Sequence, residues 1–412
     1  MVTHRCVEIC SMFMMSYLPG SSMPSDTKVT IYYGPLAWFN EKLENREWVS
    51  LLEITYELDE ANRRHTHVLQ GQEAPVPESP PSRLKRVVAE SNDYASLNEH
   101  VITNFAGLIR SINPEYLYLH NPPAQMQEQL VRSFSATEVQ RYEYPAVTRE
   151  TLIRFRDGFA NHLVGQVAVK ELLLAALYPL TTERQTKPVV LMFYGPSGVG
   201  KTETAQFIND LLGGTLLRKQ FSMFHNDKFA SYLFGGAHAE ASFARDLLDR
   251  ESGVILIDEF DKANTVFHSA FYQLFDGGVF EDKNYSVRLG SSLIICTSNY
   301  KSENEIREAL GDALHSRFDA LIHFQPLSPA EVVQVIDRLL DSRFSRLTAE
   351  EQSRLDLDGI KTILYPLAGK AENVRKLGKI VNEVISLVLV RAMLGEQAPT
   401  ADPDLREESR AS

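Results

Sequence analysis

The apolar run Val189 to Tyr194 stops at Gly195 and continues as Gly195-Pro196-Ser197-Gly198-Val199-Gly200-Lys201-Thr202, after which a helical pattern begins. No other stretch constrains the fold as far, because it matches GxxxxGK[ST] in full, with a strand before it and a helix after it. Glycines let backbone N–H groups point inward without a Cβ clash and form a nest for oxygen anions. The following helix aims the positive end of its dipole at the same place. Lys201 is then placed to neutralise the β- and γ-phosphates of a nucleoside triphosphate, and the Thr202 hydroxyl to coordinate Mg²⁺. The binding residues read from this stretch run from Gly195 through Glu203.

Such a loop binds a nucleotide; cutting it needs more. Val254 to Glu259 is an apolar strand ending in two carboxylates. Asp258 is read as the Mg²⁺ carboxylate. Glu259, one residue on, points elsewhere and is read as the general base that polarises the attacking water. Thr297-Ser298-Asn299 closes another buried strand, where Asn299 is placed to align that water.

The four runs LMFYG, GVILIDEF, SSLIICTSNY and ALIHFQPL are apolar without alternation. Strands of that kind are buried on both faces, as in a parallel sheet covered by helices. After Pro326 the pattern turns helical. Ser328, Pro329 and Glu331 spell a capped helix start, Thr348 repeats the signature, and NVRKLGKIVNEVISLVLVRAML reads as a long amphipathic helix. The expected organisation is an N-terminal α/β domain over 24–145, a large α/β domain over 149–326 and a helical domain over 327–396. Residues 1–23 and the polar tail 397–412 are expected to be disordered. Within 24–145, IYYGPLAWF and WVSLLEITYEL read as strand-like, and Gly71 to Ser82 as a loop. His120 and Asn121 end a strand, where they either line a site or fix a turn, and a turn is the commoner use.

The formal net charge of −12 gives no global basic field for nucleic acid. The short run Arg83 to Arg86, RLKR, reads as a solvated patch. No apolar run reaches the ~20 residues of a membrane helix. Three cysteines cannot make a disulfide framework, so the expected setting is the reducing cytoplasm.

Together these motifs resemble the AAA+ ATPases, and within them the Clp/heat-shock unfoldase branch, over Phe155 to Leu394. "HLVGQVAVKELLLAAL" is similar to that branch's opening box, "VILIDEFDKANTVFHSAFYQLFDGGVFEDKN" to its stretch after the acid pair, and "GDALHSRFDALIHFQPLS" to its arginine box. The resemblance implies an α/β P-loop NTPase fold: a parallel sheet flanked by helices, a C-terminal helical lid and a small N-terminal α/β domain. It implies ATP and Mg²⁺ as cofactors, with Leu163, Val164 and Gly165 flanking the adenine. It makes Arg317 the arginine finger of a neighbouring subunit's site. Arg375 is the candidate second-sensor arginine, although the branch's "G-A-R" pattern is lost here at Ala371 or Glu372.

One departure bears on function. Where the branch carries an aromatic gripping loop, this chain has Leu233-Phe234-Gly235-Gly236-Ala237-His238-Ala239-Glu240. The expected activity is Mg²⁺-dependent ATP hydrolysis in a homo-oligomeric ring, six subunits by the resemblance, that remodels a protein partner selected by the N-terminal domain. The alternative is an ATP-dependent switch or adaptor that recruits an effector such as a nuclease. Neither nucleic acid nor membrane is an expected partner.

Overall fold

The computed structural model of the protein describes residues 27–44, 46–65, 83–182, 184–223, 226–369 and 373–394. The stretches 1–23, 71–82 and 397–412, on which loops or disorder are expected, lie outside these residues.

The strands are β1 (Lys28–Tyr33), β2 (Val49–Ser50), β3 (Arg86–Ala89), β4 (Tyr116–His120), β5 (Thr137–Arg141), β6 (Val189–Tyr194), β7 (Leu217–Gln220), β8 (Val254–Asp258), β9 (Val279–Glu281), β10 (Ser286–Arg288), β11 (Leu293–Thr297) and β12 (Ala320–His323). They form two five-stranded sheets and one hairpin. The first sheet runs β2-β3-β4-β1-β5 and the second, read in the same sense, β7-β8-β11-β6-β12. Every pairing within both sheets is parallel. The hairpin β9–β10 is antiparallel.

The second sheet is the α/β fold expected for a P-loop protein. Its central strands β6, β8 and β11 are buried along their whole length, which is why they read as unbroken apolar runs. The edge strand β7, LRKQ, carries three polar residues and is half exposed, so no such run marked it. Helices Arg149–His162, Val167–Leu177 and Lys201–Leu212 pack against one face. Beyond β12, helices Pro329–Phe344, Ala349–Ser353, Leu357–Leu364 and Val374–Leu394 build a separate core around Ile336, Leu340, Leu364 and Val381. Ser328 and Thr348 each complete a capping box with Glu331 and Glu351, as their spacing predicts.

The N-terminal unit corrects two local readings. Only IYY of IYYGPLAWF is strand; Leu36–Leu43 is a helix that buries Phe39 and Leu43. Most of WVSLLEITYEL is also helix, Leu51–His65. Leu51, Ile54, Thr55 and Leu58 are its buried residues between 51 and 60. That i, i+3, i+4, i+7 spacing is one helix face, and burying each aliphatic side chain contributes about 2 kcal/mol, more than β-propensity can oppose. His120 and Asn121 fix a turn. Asn121 accepts from the Gly34 N–H at 3.0 Å and donates to the Gly34 carbonyl at 2.9 Å, and His120 Nε2 lies 2.7 Å from that carbonyl. Arg83 donates to the Asn113 and Pro114 carbonyls and Arg86 lies over the Tyr116 ring, so the short basic run serves the fold.

Candidate functional site

At the end of β6 the chain turns through Gly195, whose φ is +128°, and Lys201 opens the next helix. A side chain at Gly195 would collide with the Phe324 carbonyl, so only glycine lets β6 and β12 stay paired while the loop leaves the sheet. Lys201 is 8% exposed and its ammonium donates to the carbonyls of Gly195 and Pro196, both at 2.7 Å. It also reaches Asn299 Oδ1 at 3.4 Å. Burial pulls the ammonium down to about 8; Asp261 and Asp258 oppose that shift and Arg375 adds to it. A cation this poorly solvated is matched by an anion delivered to the loop.

Asp258 closes β8 and is buried. The Thr297 hydroxyl, from the end of β11, donates to its Oδ1. Arg218, from β7, donates to its Oδ2 from Nε at 3.1 Å and from Nη2. Glu259 follows in the left-handed region, φ +58°, which swings its side chain away from that of Asp258. Its backbone N–H donates to the Thr297 hydroxyl at 3.0 Å, and its carboxylate accepts from Gln220 Nε2 at 3.0 Å. Hydrogen bonds from Ser222 and Gln220 hold the Glu259 carboxyl below the usual range, against burial and the Asp258 charge. The group is therefore ionised and able to accept a proton.

These residues share one cavity of about 500 Å³ between the second sheet and the helical unit. Leu163, Val164, Ser197, Gly198, Val199, Gly200, Lys201, Thr202, Glu203, Asp258, Glu259, Asn299 and Arg375 all line it. Gly195 and Pro196 sit just behind, contributing the carbonyls that receive Lys201. Gly165 is not on the wall; a side chain there would meet the Glu331 carboxylate. Arg375 enters from the first turn of helix Val374–Leu394, its N–H held by Asn373 Oδ1 at 2.8 Å. Ala371 and Glu372 lie outside the described residues.

Arg317 stands apart from this wall. Its Nε donates to Asp276 Oδ2 at 2.8 Å, its Nη1 to the Ala313 carbonyl, and its guanidinium lies 4.6 Å from the Tyr272 ring centre. Four residues with a part in the site escaped the sequence reading: Arg218, Gln220, Ser222 and Arg338. Arg338 lines the cavity and is braced by the Ala160 and Asn161 carbonyls at 2.7 and 3.1 Å. A charged residue inside the short strand LRKQ was the one available signal for Arg218; nothing local marked the others.

Residues 186–356 match the family described as AAA domain (Cdc48 subfamily). Over that stretch the chain is similar to the AAA+ ATPases of the Clp/Hsp100-like kind. The chain is similar to the chaperone protein ClpB of Staphylococcus epidermidis, 26% identical over 286 residues, covering 61% of this chain and 33% of that protein. The ClpB proteins of Chlamydia pneumoniae (26% over 298 residues, 62% and 34% covered) and Bdellovibrio bacteriovorus (27% over 232 residues, 49% and 27% covered) stand likewise. The chain spans about a third of the length of these relatives. A solved structure described as a closed-state reconstruction of Hsp104:ATPyS and FITC casein shares the fold with a TM-score of 0.52 at 14% identity, over 95% of this chain and 92% of that one. Among the described residues, no helix is long and apolar enough to cross a membrane.

Proposed function

We propose that the chain hydrolyses ATP with Mg²⁺ in a ring of its own copies and uses the cycle to remodel one protein partner held by its N-terminal unit. The observation that carries this reading is the single cavity in which Lys201, Asp258, an ionised Glu259, Asn299 and Arg375 face one another. Lys201 and the loop N–H groups take the phosphates; Glu259 draws the proton from the attacking water; Asn299 orients that water. Leu163 and Val164 make an apolar wall for the base, and Arg375 brings positive charge to the phosphates from the lid.

The donor set fits the metal. Among the described residues no three His, Cys, Asp or Glu stand together as a cage. Nucleotide-bound Mg²⁺ needs none, since phosphates and water fill most of its shell. Asp258 and the Thr202 hydroxyl face the same cavity, and the ion they would hold supplies charge neutralisation at the phosphates.

Arg317 lies off its own chain's cavity wall, which supports a role at a neighbour's nucleotide and hence a ring. The switch or adaptor reading is favoured by a different contact. The turn Asp282–Tyr285 is tied to the segment where the gripping loop is expected, through Lys283 N–H to the Phe234 carbonyl at 2.9 Å and Asn284 Nδ2 to the Gly236 carbonyl at 3.2 Å. The Asn284 carbonyl in turn accepts from Ala124 N–H of the N-terminal unit at 2.9 Å. A ring whose inner segments are bonded to its partner-selecting unit is suited to changing shape on a partner.

Phosphate release by the purified chain, with and without Mg²⁺, and light scattering with and without ATP test the reading together. A monomer under every nucleotide condition would remove the ring, and no Mg²⁺-dependent release would remove the ATPase.

A further inference from the structure

The two sheets share more than a strand order. Numbered within each unit, both run 2-3-4-1-5. Their registers also coincide. Lys28 pairs with Tyr116 and Tyr32 with His120, as Val189 pairs with Leu293 and Phe193 with Thr297. Tyr33 pairs with Arg141 as Tyr194 pairs with His323. The bonds that end the strands repeat too: Asn121 N–H to the Tyr32 carbonyl at 2.8 Å, and Ser298 N–H to the Phe193 carbonyl at 2.9 Å. Tyr33-Gly34-Pro35 therefore stands where Tyr194-Gly195-Pro196 stands, and Gly34, like Gly195, has a positive φ, +155°. By the same register Glu90 takes the place of Asp258, and Ser91 that of Glu259.

What differs is the turn after the first strand. In the AAA+ domain, Gly195 to Gly200 separate β6 from the helix that Lys201 opens. In the N-terminal unit only Gly34 and Pro35 separate β1 from helix Leu36–Leu43, so no loop and no lysine remain to cradle a phosphate. The place is taken by the AAA+ domain itself. Asp249, at the end of helix Phe243–Leu248, accepts from the Leu36 N–H with Oδ1 at 3.0 Å. Arg245, on that helix, donates to the Ser91 carbonyl at 3.2 Å and to Asn92 Oδ1 at 3.1 Å. Phe243 and Leu247 are fully buried in a core continuous with Val29, Ile31 and Leu119 of the N-terminal unit.

We infer that the N-terminal unit is a second copy of the P-loop fold that no longer takes nucleotide and uses the crevice at its strand ends to hold helix Phe243–Leu248 of the same chain, with the Asp249 carboxylate on the shortened turn. Parallel α/β sheets bind their ligands at the carboxyl ends of the strands, at the point where strand order reverses. Here that position, between β1 and β4 with β3 beside it, faces protein. A carboxylate suits it for the reason a phosphate suits the longer loop: the N–H groups of a helix start attract negative charge. The held helix leads through Asp249 to Gly253 straight into β8, which ends at Asp258. The docked surface thus abuts the strand that carries the acid pair.

Two measurements on the full chain test this. Equilibrium dialysis with a non-hydrolysable ATP analogue should give one nucleotide per chain, and none in Lys201→Ala. A second equivalent, or one that survives Lys201→Ala, overturns the loss of nucleotide from the N-terminal unit. Hydrogen exchange should show the Leu36 amide protected. Asp249→Ala should speed its exchange about tenfold, the worth of one hydrogen bond to a charged group, and Asp249→Asn less, since the asparagine amide oxygen still accepts. Arg245→Ala should loosen the amides of 243–248 in the same way, with those of helix Pro329–Phe344 unchanged as the control for folding. Unchanged exchange at Leu36 in a folded Asp249→Ala overturns the docking. Loss of nucleotide binding in the wild type would strike the ATPase reading instead, and the exchange data would still decide the docking.

Discussion

The Gln220 side-chain amide donates to the Glu259 carboxylate at 3.0 Å, from a strand whose Gln220 pairs in register with Asp258. The proposed base is thus ionised but engaged, with Ser222 as its other partner. To polarise water at the γ-phosphate it must leave them. Gln220→Ala should raise partner-free ATP turnover by up to about tenfold, the equivalent of one charge-assisted hydrogen bond, with little change in nucleotide affinity. A fall in turnover at constant affinity would show that Gln220 aims the base productively.

Lys201 and Glu259 should separate binding from chemistry. Lys201→Ala removes the one ammonium among the loop carbonyls and should abolish nucleotide binding. Glu259→Gln keeps the loop, Asp258 and Thr202 and should bind ATP while turnover drops about 10²-fold or more. Fluorescent-nucleotide titration beside phosphate release reads both, and equal loss of binding in the two variants would contradict the division of roles.

The residues legible from their own chemistry are the contiguous ones; Leu163, Val164, Asn299 and Arg375, which also line the cavity, are reached through the order of the motifs and the resemblance. Gly195 to Thr202 and Asp258–Glu259 each carry their chemistry on neighbouring residues, so one strand end displays it. Arg218, Gln220 and Arg338 reach the site only because β7 lies beside β8 and the helical unit folds back over the loop; no local spacing encodes that. Leu51–His65 misled for another reason. Its aromatic and β-branched content suits a strand, while Leu51, Ile54 and Leu58 lie on one helical face, and burial decides between them. The duplicated fold left one trace, the tripeptide Tyr-Gly-Pro at both 33–35 and 194–196. With the glycine-rich part missing from the first copy, nothing chemical drew attention to it.

Arg317 is braced by Asp276, the Ala313 carbonyl and the Tyr272 ring, which fix its guanidinium at the surface. If it completes a neighbour's site, Arg317→Ala should leave ATP affinity nearly intact and cut turnover about 10³-fold. Mixing it with Glu259→Gln should restore part of the activity, because some interfaces regain both groups. Asp276→Ala serves as the control: loss of a mere surface ion pair should cost under about 1 kcal/mol of stability. Undiminished turnover by Arg317→Ala would end the shared-site proposal.

His120 makes the N-terminal unit acid-sensitive. Its ring is fully buried, stacked on Phe39 and beside the Gly34 carbonyl and Asn121 Nδ2, and burial lowers its pKa from 6.5 to about 4. Asp249 Oδ1 lies 3.7 Å away but is half exposed; burial outweighs it, and the contact is not an ion pair. The unfolded chain therefore binds the extra proton, so stability falls as pH drops from about 6.5 towards 4, by about 3 kcal/mol in full. Burial raises the Asp249 carboxyl, which acts in the opposite sense at the acid end, so the comparison belongs between pH 7 and 5. Urea midpoints should fall over that interval in the wild type and less in a folded His120→Gln, and an unchanged midpoint would mean that the ring takes up its proton as readily in the folded chain as in the unfolded one.

The segment Leu233 to Glu240 bears on whether the proposed ring would thread polypeptide. Gripping an extended backbone takes a large side chain with few rotamers to freeze, standing free in the channel. Phe243 is fully buried and takes no part. His238 is partly buried, its charged form disfavoured first by that burial. Phe234 is the one aromatic of the segment that is exposed, at 45%, yet its carbonyl is bonded to Lys283 and its ring stands 6.2 Å from that of Phe267. The neighbouring turn is fastened to the N-terminal unit through Asn284 and Ala124. A loop held at both its backbone and its neighbour has little freedom to stroke with each nucleotide cycle. The chain with ATP should therefore leave a tagged, stable fluorescent protein intact in the presence of a trap that captures unfolded product. Loss of fluorescence that depends on ATP, and that Phe234→Ala abolishes, would restore threading and make Phe234 the paddle; the same loss insensitive to Phe234 and His238 would place the grip outside this segment.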